Sequence, residues 1–164
     1  METVKFRGKF VNNNGWVYGF FTNLFEEEEN REVPIIVSQH FEGADMSYPY
    51  PSVGTFYSEV IPETVGQFTG KKDNKGVEIY ENDIYFEEVE LDTGDVREYY
   101  ICKWINEWSR FVWLHIIGEY YDYQDNGVSN LEKNEVMMNT FGLNTNRMHR
   151  AGNIYDNPEL LNKD

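Results

Sequence analysis

The residues that could do chemistry in this chain are carboxylates, three histidines, one cysteine and a few lysines beside glycines. Calcium is the first chemistry to weigh, because "DNKG" at 73–76 and "DYQDNG" at 122–127 carry loop-ligand residue types. An EF-hand loop needs Gly at its sixth position and a bidentate Glu at its twelfth. With Gly76 as sixth, Lys71 and Lys75 face the ion beside Asp73, and Asn82 stands twelfth. With Gly127 as sixth, Asp122, Gln124 and Asn126 fall well, but Lys133 stands twelfth. Both stretches are read as solvated turns. "GQFTGKK" misses a phosphate loop twice: Gly66 and Gly70 are one residue too close, and Lys72 replaces the Ser or Thr that would hold magnesium.

Nucleophiles fare no better. "GVSNL" ends on Leu131 where a nucleophile elbow needs Gly. Cys102 stands between aromatics in a strand-like run and is read as a small core residue. His40, His115 and His149 lie far apart and in no metal-ligand spacing. Glu87, Glu88 and Glu90 read as the wet face and end of a strand. No constellation fills the roles of nucleophile, base and orienting group together. The chain is therefore expected to be no enzyme and to need no metal or cofactor.

The elements that hold these residues are mostly strands. "VKFRGKFV" and "WVYGFFTNL" flank "NNNG" at 12–15, and Asn and Gly tolerate the positive φ of a tight hairpin. In the second arm Trp16, Tyr18 and Phe20 share one face while Val17 and Phe21 share the other, so the strand is expected to be covered on both sides or to pair with another subunit. The acidic run Glu26 to Glu29 reads as a solvated loop, "PIIVSQH" as a short strand, and residues 42–55, with "MSYPYPS", as a linker or exposed edge.

From Val65 onward short apolar runs are spaced by Gly, Asn and Asp clusters at "KKDNKG", "DTGD" and "NEWS". That spacing is the mark of a small barrel or sandwich. Gly70, Asn74 and Gly76 are assigned to reversing the chain, and Asn82 and Asp83 to a kink where a side chain bonds nearby backbone. Val77, Ile79, Ile84 and Phe86 would supply buried faces around that kink. Helix signals are few. Ser129 three residues before Glu132 is a capping-box spacing, and Asn157 before Pro158 predicts a last helical turn bearing Leu160 and Leu161.

Size and charge bound the rest. A chain of 164 residues is one domain or two small lobes. Aromatics form 16% of it, which favours pleated, half-buried strands over helices. Twenty-nine acids against 14 bases give a net charge of −15. The small basic clusters, Lys71, Lys72 and Lys75, then Arg147 with Arg150, do not offset that field, so duplex DNA and anionic membranes are disfavoured. A single cysteine excludes an internal disulfide, no run approaches the length of a membrane span, and "METVKFRGKF" lacks a leader's apolar core. The expected location is a reducing cytoplasm.

Three stretches together, "KFRGKFVNNNGWVYGFF", "TVGQFTGKKDNKGVEIYENDIYF" and "GNIYDNPELL", resemble the YopX family of bacteriophage and prophage proteins, in the family's order and across nearly the whole chain. One departure is Asn82, which stands in "YENDI" where the family usually has Gly. The resemblance implies a mainly β fold with minor α, a small SH3-like barrel plus an additional β-rich portion, and it carries over no catalytic residue. The organisation expected is an N-terminal β-rich segment with a hairpin over 1–60, an SH3-like barrel core over 61–123, and a C-terminal segment with a short helix and a closing strand or turn over 124–164.

Function is then expected to be surface contact: a phage or prophage accessory protein binding an unidentified protein partner or itself as a homo-oligomer. The candidate interface aromatics are Tyr48, Tyr50, Trp108, Tyr120 and Tyr121, in loop-like or strand-end places. Two readings compete. The acids at 26–29, 87–98 and 119–125 could imitate DNA phosphates, or aromatics of a barrel groove could stack on single-stranded bases. A hydrolytic enzyme is the lesser alternative, kept because acids are plentiful.

Overall fold

The computed structural model describes residues 4–12, 15–38, 56–91, 94–116 and 147–161. They are mainly strand, and no helix among them exceeds one four-residue 3-10 turn. Among the described residues ten strands make two antiparallel sheets, one of six strands and one of four, the part of the expected architecture that the structure supports. The chain forms two compact units, Met1–Phe68 and Thr69–Asp164. The predicted capping box at Ser129 lies outside the described residues.

In the first unit β1 (Phe6–Lys9) and β2 (Trp16–Glu26) form the expected hairpin, with Lys9 opposite Trp16 and Phe6 opposite Gly19. β3 (Arg31–Ser38) pairs with the far half of β2, and β4 (Phe56–Glu59) pairs with β3. Gly19 marks the handover between partners. A Cβ there would sit 2.1 Å from the Val37 carbonyl oxygen, so only Gly lets β3 approach. Val17, Ile36 and Val60 form the core, with Phe6, Phe10, Phe21 and Val65 packed against it. Arg7 meets the first residue of β5 (Gly66–Lys72), Gly66, across the next strand pair.

In the second unit β5 runs out through a turn at Asp73–Gly76 into β6 (Glu78–Tyr80), closed by the Gly76 N–H on the Asp73 carbonyl at 3.0 Å. β7 (Asp83–Leu91), β8 (Gly94–Ile105) and β9 (Arg110–Ile116) follow as a meander, and β10 (His149–Asn153) returns beside β7. Alternate residues feed two clusters. Tyr85, Tyr100, Cys102, Phe111 and Trp113 join Ile79 and Met148 in one. Ile84, Ile101, Ile105, Val112, Leu114 and Ile116 build the other. The final 3-10 turn, Pro158–Leu161, presses Leu160 and Leu161 against this second cluster, as the Asn-Pro pair predicts. Gly152 makes room for that ending, since a Cβ would strike the Asn157 side chain at 1.9 Å.

Candidate functional site

The Glu81-Asn82-Asp83 corner holds the densest polar chemistry, and all of it is spent on the backbone and on side chains of the same unit. Asn82 adopts φ +69°, a left-handed conformation that Asn tolerates better than most residues. Its N–H donates to the Cys102 carbonyl at 2.7 Å, and its carbonyl accepts from the Ile154 N–H at 3.1 Å. Its side chain accepts from the Lys103 ammonium at 2.6 Å and donates to the Tyr155 hydroxyl at 2.9 Å. Asp83 is completely buried. One carboxylate oxygen accepts the Tyr80 N–H at 2.9 Å, and the other faces the Arg150 guanidinium at 3.0 Å.

Asp73 organises the preceding turn in the same way. Its Oδ1 accepts the N–H groups of Lys75 and Val77, both at 2.9 Å, and Oδ2 accepts the Tyr85 hydroxyl at 3.2 Å. Burial first, then the Asp83 and Asp73 charges, push the Tyr85 phenol well above its ordinary pKa. It is fixed as a neutral donor. Gly70 and Gly76 take φ of +78° and +80°, and Asn74 is an exposed residue of the turn between them. Val77 corrects the expected apolar faces: it is exposed, because it closes the turn on Asp73, while Ile79 and Ile84 are fully buried.

A second constellation lies along β7, β8 and β9. Tyr100 stacks on His115 with ring centroids 4.9 Å apart and donates its hydroxyl to Glu98 at 2.9 Å. Burial first, then the bond to Glu98, raise the Tyr100 pKa. His115 Nε2 stands 3.9 Å from Glu98 Oε2, beyond hydrogen-bond range, so the carboxylate does not orient the imidazole as a catalytic base requires. Nearby, Glu87, Glu88, Val89, Glu90, Arg147 and His149 line an open groove of about 520 Å³. Among the described residues no three His, Cys, Asp or Glu side chains gather closely enough to hold a metal ion. Cys102 is buried within the first cluster of this unit.

The third feature is one face of the sheet in Met1–Phe68. Register partners of antiparallel strands share a face, and residues two apart along a strand return to it. Phe20, Val37 and Tyr57 therefore form one row across β2, β3 and β4. Tyr18 and Trp16 continue it along β2, opposite Arg7 and Lys9 of β1. Tyr18 is 45% exposed, Phe20 52% and Tyr57 63%. The Arg7 guanidinium lies 4.5 Å from the Trp16 ring centroid and is itself nearly fully buried, while the Lys9 ammonium lies 5.7 Å from the same ring. Lys5, next in the alternation, holds its ammonium 5.7 Å from the Phe68 ring. Farther along β3 the same face carries Val33 and Ile35, both buried, so the open part is the stretch around Tyr18, Phe20 and Tyr57.

Of the aromatics expected at an interface, Tyr48, Tyr50, Tyr120 and Tyr121 lie outside the described residues. Trp108 ends the 3-10 turn Asn106–Trp108, packs against the second unit's second cluster and carries the Arg110 guanidinium 4.9 Å above its ring. Tyr57 is not marked by the sequence as an interface residue: "FYSEV" alternates as a strand does, but it follows directly on the stretch with Pro49 and Pro51. Phe20 is more than half exposed, so the expected cover on both sides does not come from this chain at that ring, and pairing with another subunit is the other arrangement expected of the strand. No helix among the described residues is long and apolar enough to cross a membrane.

Comparison with known proteins completes the picture. No curated protein matches the chain. The crystal structure of protein EF1440 from Enterococcus faecalis is similar over 97% of this chain and 98% of its own, at 21% identity and a TM-score of 0.47. A family model described as YopX protein matches residues 5–162, and on that match the chain belongs to the YopX family.

Proposed function

We propose that this chain is a non-enzymatic binding module, an accessory protein of the phage or prophage kind, acting in the host cytoplasm through the open sheet face of Met1–Phe68. The observation that carries this reading is the register row Phe20–Val37–Tyr57, with two large rings more than half exposed on either side of Val37. Contiguous apolar surface on a soluble chain marks an interaction site, and Tyr and Phe are enriched there. The polar groups of the second unit support the same reading from the other side. Asp73, Asn82, Asp83 and Tyr85 are engaged in holding a turn and a corner. A second copy of the chain is the poorer occupant, since two molecules of net charge −15 repel.

The test is nuclear magnetic resonance of isotopically labelled protein in bacterial extract. Resonances of Phe20, Val37 and Tyr57 should broaden or shift while those of Trp113, buried in the other unit, stay put. A spectrum unchanged at all four positions rejects the reading.

A further inference from the structure

We infer that the hairpin tip of residues 70–77, between β5 and β6, is a contact for duplex DNA, entering the major groove with Lys71, Lys72 and Lys75 against the phosphates of its walls. This tip belongs to the second unit and is separate from the sheet face of the binding reading.

Charge placement is the first argument. Among the described residues, every other lysine and arginine lies against a carboxylate, an aromatic ring or an amide oxygen. The ammonium groups of Lys71, Lys72 and Lys75 have no ion pair, ring contact or hydrogen bond. Asp73, the one acid of 70–77, does not offset them at the surface, because its carboxylate is turned inward onto the Lys75 and Val77 N–H groups and the Tyr85 hydroxyl. Glu78, the next acid along the chain, accepts the Tyr80 hydroxyl at 2.7 Å. At physiological salt a surface charge is felt over about 8 Å. Contact at the tip is therefore governed by these three cations, while the net charge of −15 disfavours a duplex along the rest of the molecule.

Geometry is the second argument. All of 70–77 except Asp73 is exposed, and a Cβ built on Gly70 or Gly76 would meet no atom within 4 Å, so the tip stands clear. The register of β5 with β1 ends at Gln67, and β6 is its partner beyond that point, which makes the end of the hairpin a two-stranded ribbon. Successive residues of a strand point to opposite faces, so Lys71 and Lys72 leave the ribbon on opposite sides, with Lys75 in the turn itself. A flat acidic surface would engage one side of such a tip. A groove engages both. The major groove of B-DNA, about 12 Å wide, admits a two-stranded ribbon. The three bonds of Asp73 hold the tip in shape before contact, which lowers the ordering cost of binding. Lysines on phosphates carry no sequence preference.

Three contacts predict a slope of about −2.7 in log K against log salt, roughly a fortyfold loss between about 50 and about 200 mM. The acidic body puts the affinity at the weak end of non-specific binding, a Kd of about 100 µM. The experiment is fluorescence anisotropy of a labelled duplex of about 20 base pairs, two helical turns, titrated with the full chain across that salt range. Lys71→Gln with Lys72→Gln and Lys75→Gln should weaken low-salt binding by at least about tenfold, and Lys75→Gln alone should take about 0.9 from the slope. The three side chains are exposed and unpaired, so these variants should keep the urea midpoint of the parent. No binding at low salt overturns the inference, and so does binding that the triple variant retains. A single strand of equal length bound as tightly overturns the groove. Displacement of the duplex by hexaglutamate at matched charge assigns the tip to an acidic protein segment and overturns it as well. The sheet-face reading is untouched by any of these results, because the row Phe20–Val37–Tyr57 is read separately in extract.

Discussion

Two strands of this molecule carry nearly the same message and meet different fates. β2 opens "WVYGFF" and β8 closes "YYICKWI", each apolar on both of its faces. In β8 both faces are used: Tyr100 and Cys102 enter one cluster, Tyr99, Ile101 and Ile105 the other. In β2 only Val17 and Phe21 join a core, while Tyr18 and Phe20 face outward. A continuous apolar run therefore signals that both faces need cover and says nothing about whether the same chain provides it. Where the cover comes from within, the apolar strand is structural. Where it does not, the strand is left as an exposed apolar surface.

The comparison breaks most visibly at Trp113. Its ring is fully buried against Tyr85, with centroids 5.3 Å apart in an edge-to-face arrangement. Trp113→Ala should cost about 4 kcal/mol through lost burial and an unfilled cavity, read as a lowered urea midpoint. Asp83→Ala comes next. It strands the Tyr80 N–H and leaves the partly exposed Arg150 guanidinium without its buried counter-charge. A loss of about 3 kcal/mol is expected. Asp83→Asn should recover part of it by keeping an oxygen on the Tyr80 N–H. If Asp83→Ala is neutral, the corner is not what holds the second unit together.

Alkaline titration sharpens the same contrast with a smaller effect. The Tyr85 and Tyr100 phenols are raised above the ordinary value of 10.0, chiefly by burial, so folding favours their protonated forms. Their contribution is fully present below pH 10 and is lost as pH climbs towards their folded values, because the unfolded chain releases protons that the folded chain retains. The expected slope is about 1.4 kcal/mol per pH unit for each phenol. Absorbance at phenolate wavelengths checks it. Tyr85 and Tyr100 should ionise only with unfolding. Tyr85→Phe with Tyr100→Phe should flatten the slope.

What the sequence made legible follows from how local each cause is. The Asn-Gly hairpin, the Asp73 turn, the strand-rich class and the Asn-Pro ending are decided within a few residues, and each stands where the residue types put it. The corner was legible as a kink, but its chemistry was not: Arg150 is 67 positions from Asp83 and Tyr155 is 73 from Asn82. No local pattern announces such partners. The candidate face was half legible. Alternation showed that Trp16, Tyr18 and Phe20 share a side. That Lys5, Arg7 and Lys9 lie on that side depends on hairpin register, and that Tyr57 joins the row depends on β4 pairing with β3. Exposure is a property of the assembled sheet, and the apolar run of β2 does not announce that Phe20 and Tyr57 stand open within this chain.

The smallest expected effect is the most telling one. Phe20 is an aromatic of the same strand class as the buried residues of β8, and its ring is more than half exposed. If its face is a surface, Phe20→Ala should change stability by no more than about 0.5 kcal/mol, as substitutions away from a core do. Tyr57→Ala should behave alike, and both variants should keep the urea midpoint and slope of the parent. A loss of 2 kcal/mol or more, in the range set by burying a large side chain, would mean that β2 is covered on both sides after all. The two strands would then be alike in fate as well as in pattern, and the row Phe20–Val37–Tyr57 would belong to a core. A null effect on stability joined to the loss of the extract-induced shifts at Val37 is the one combination a structural role cannot produce, because a residue that holds the fold cannot be removed without weakening it.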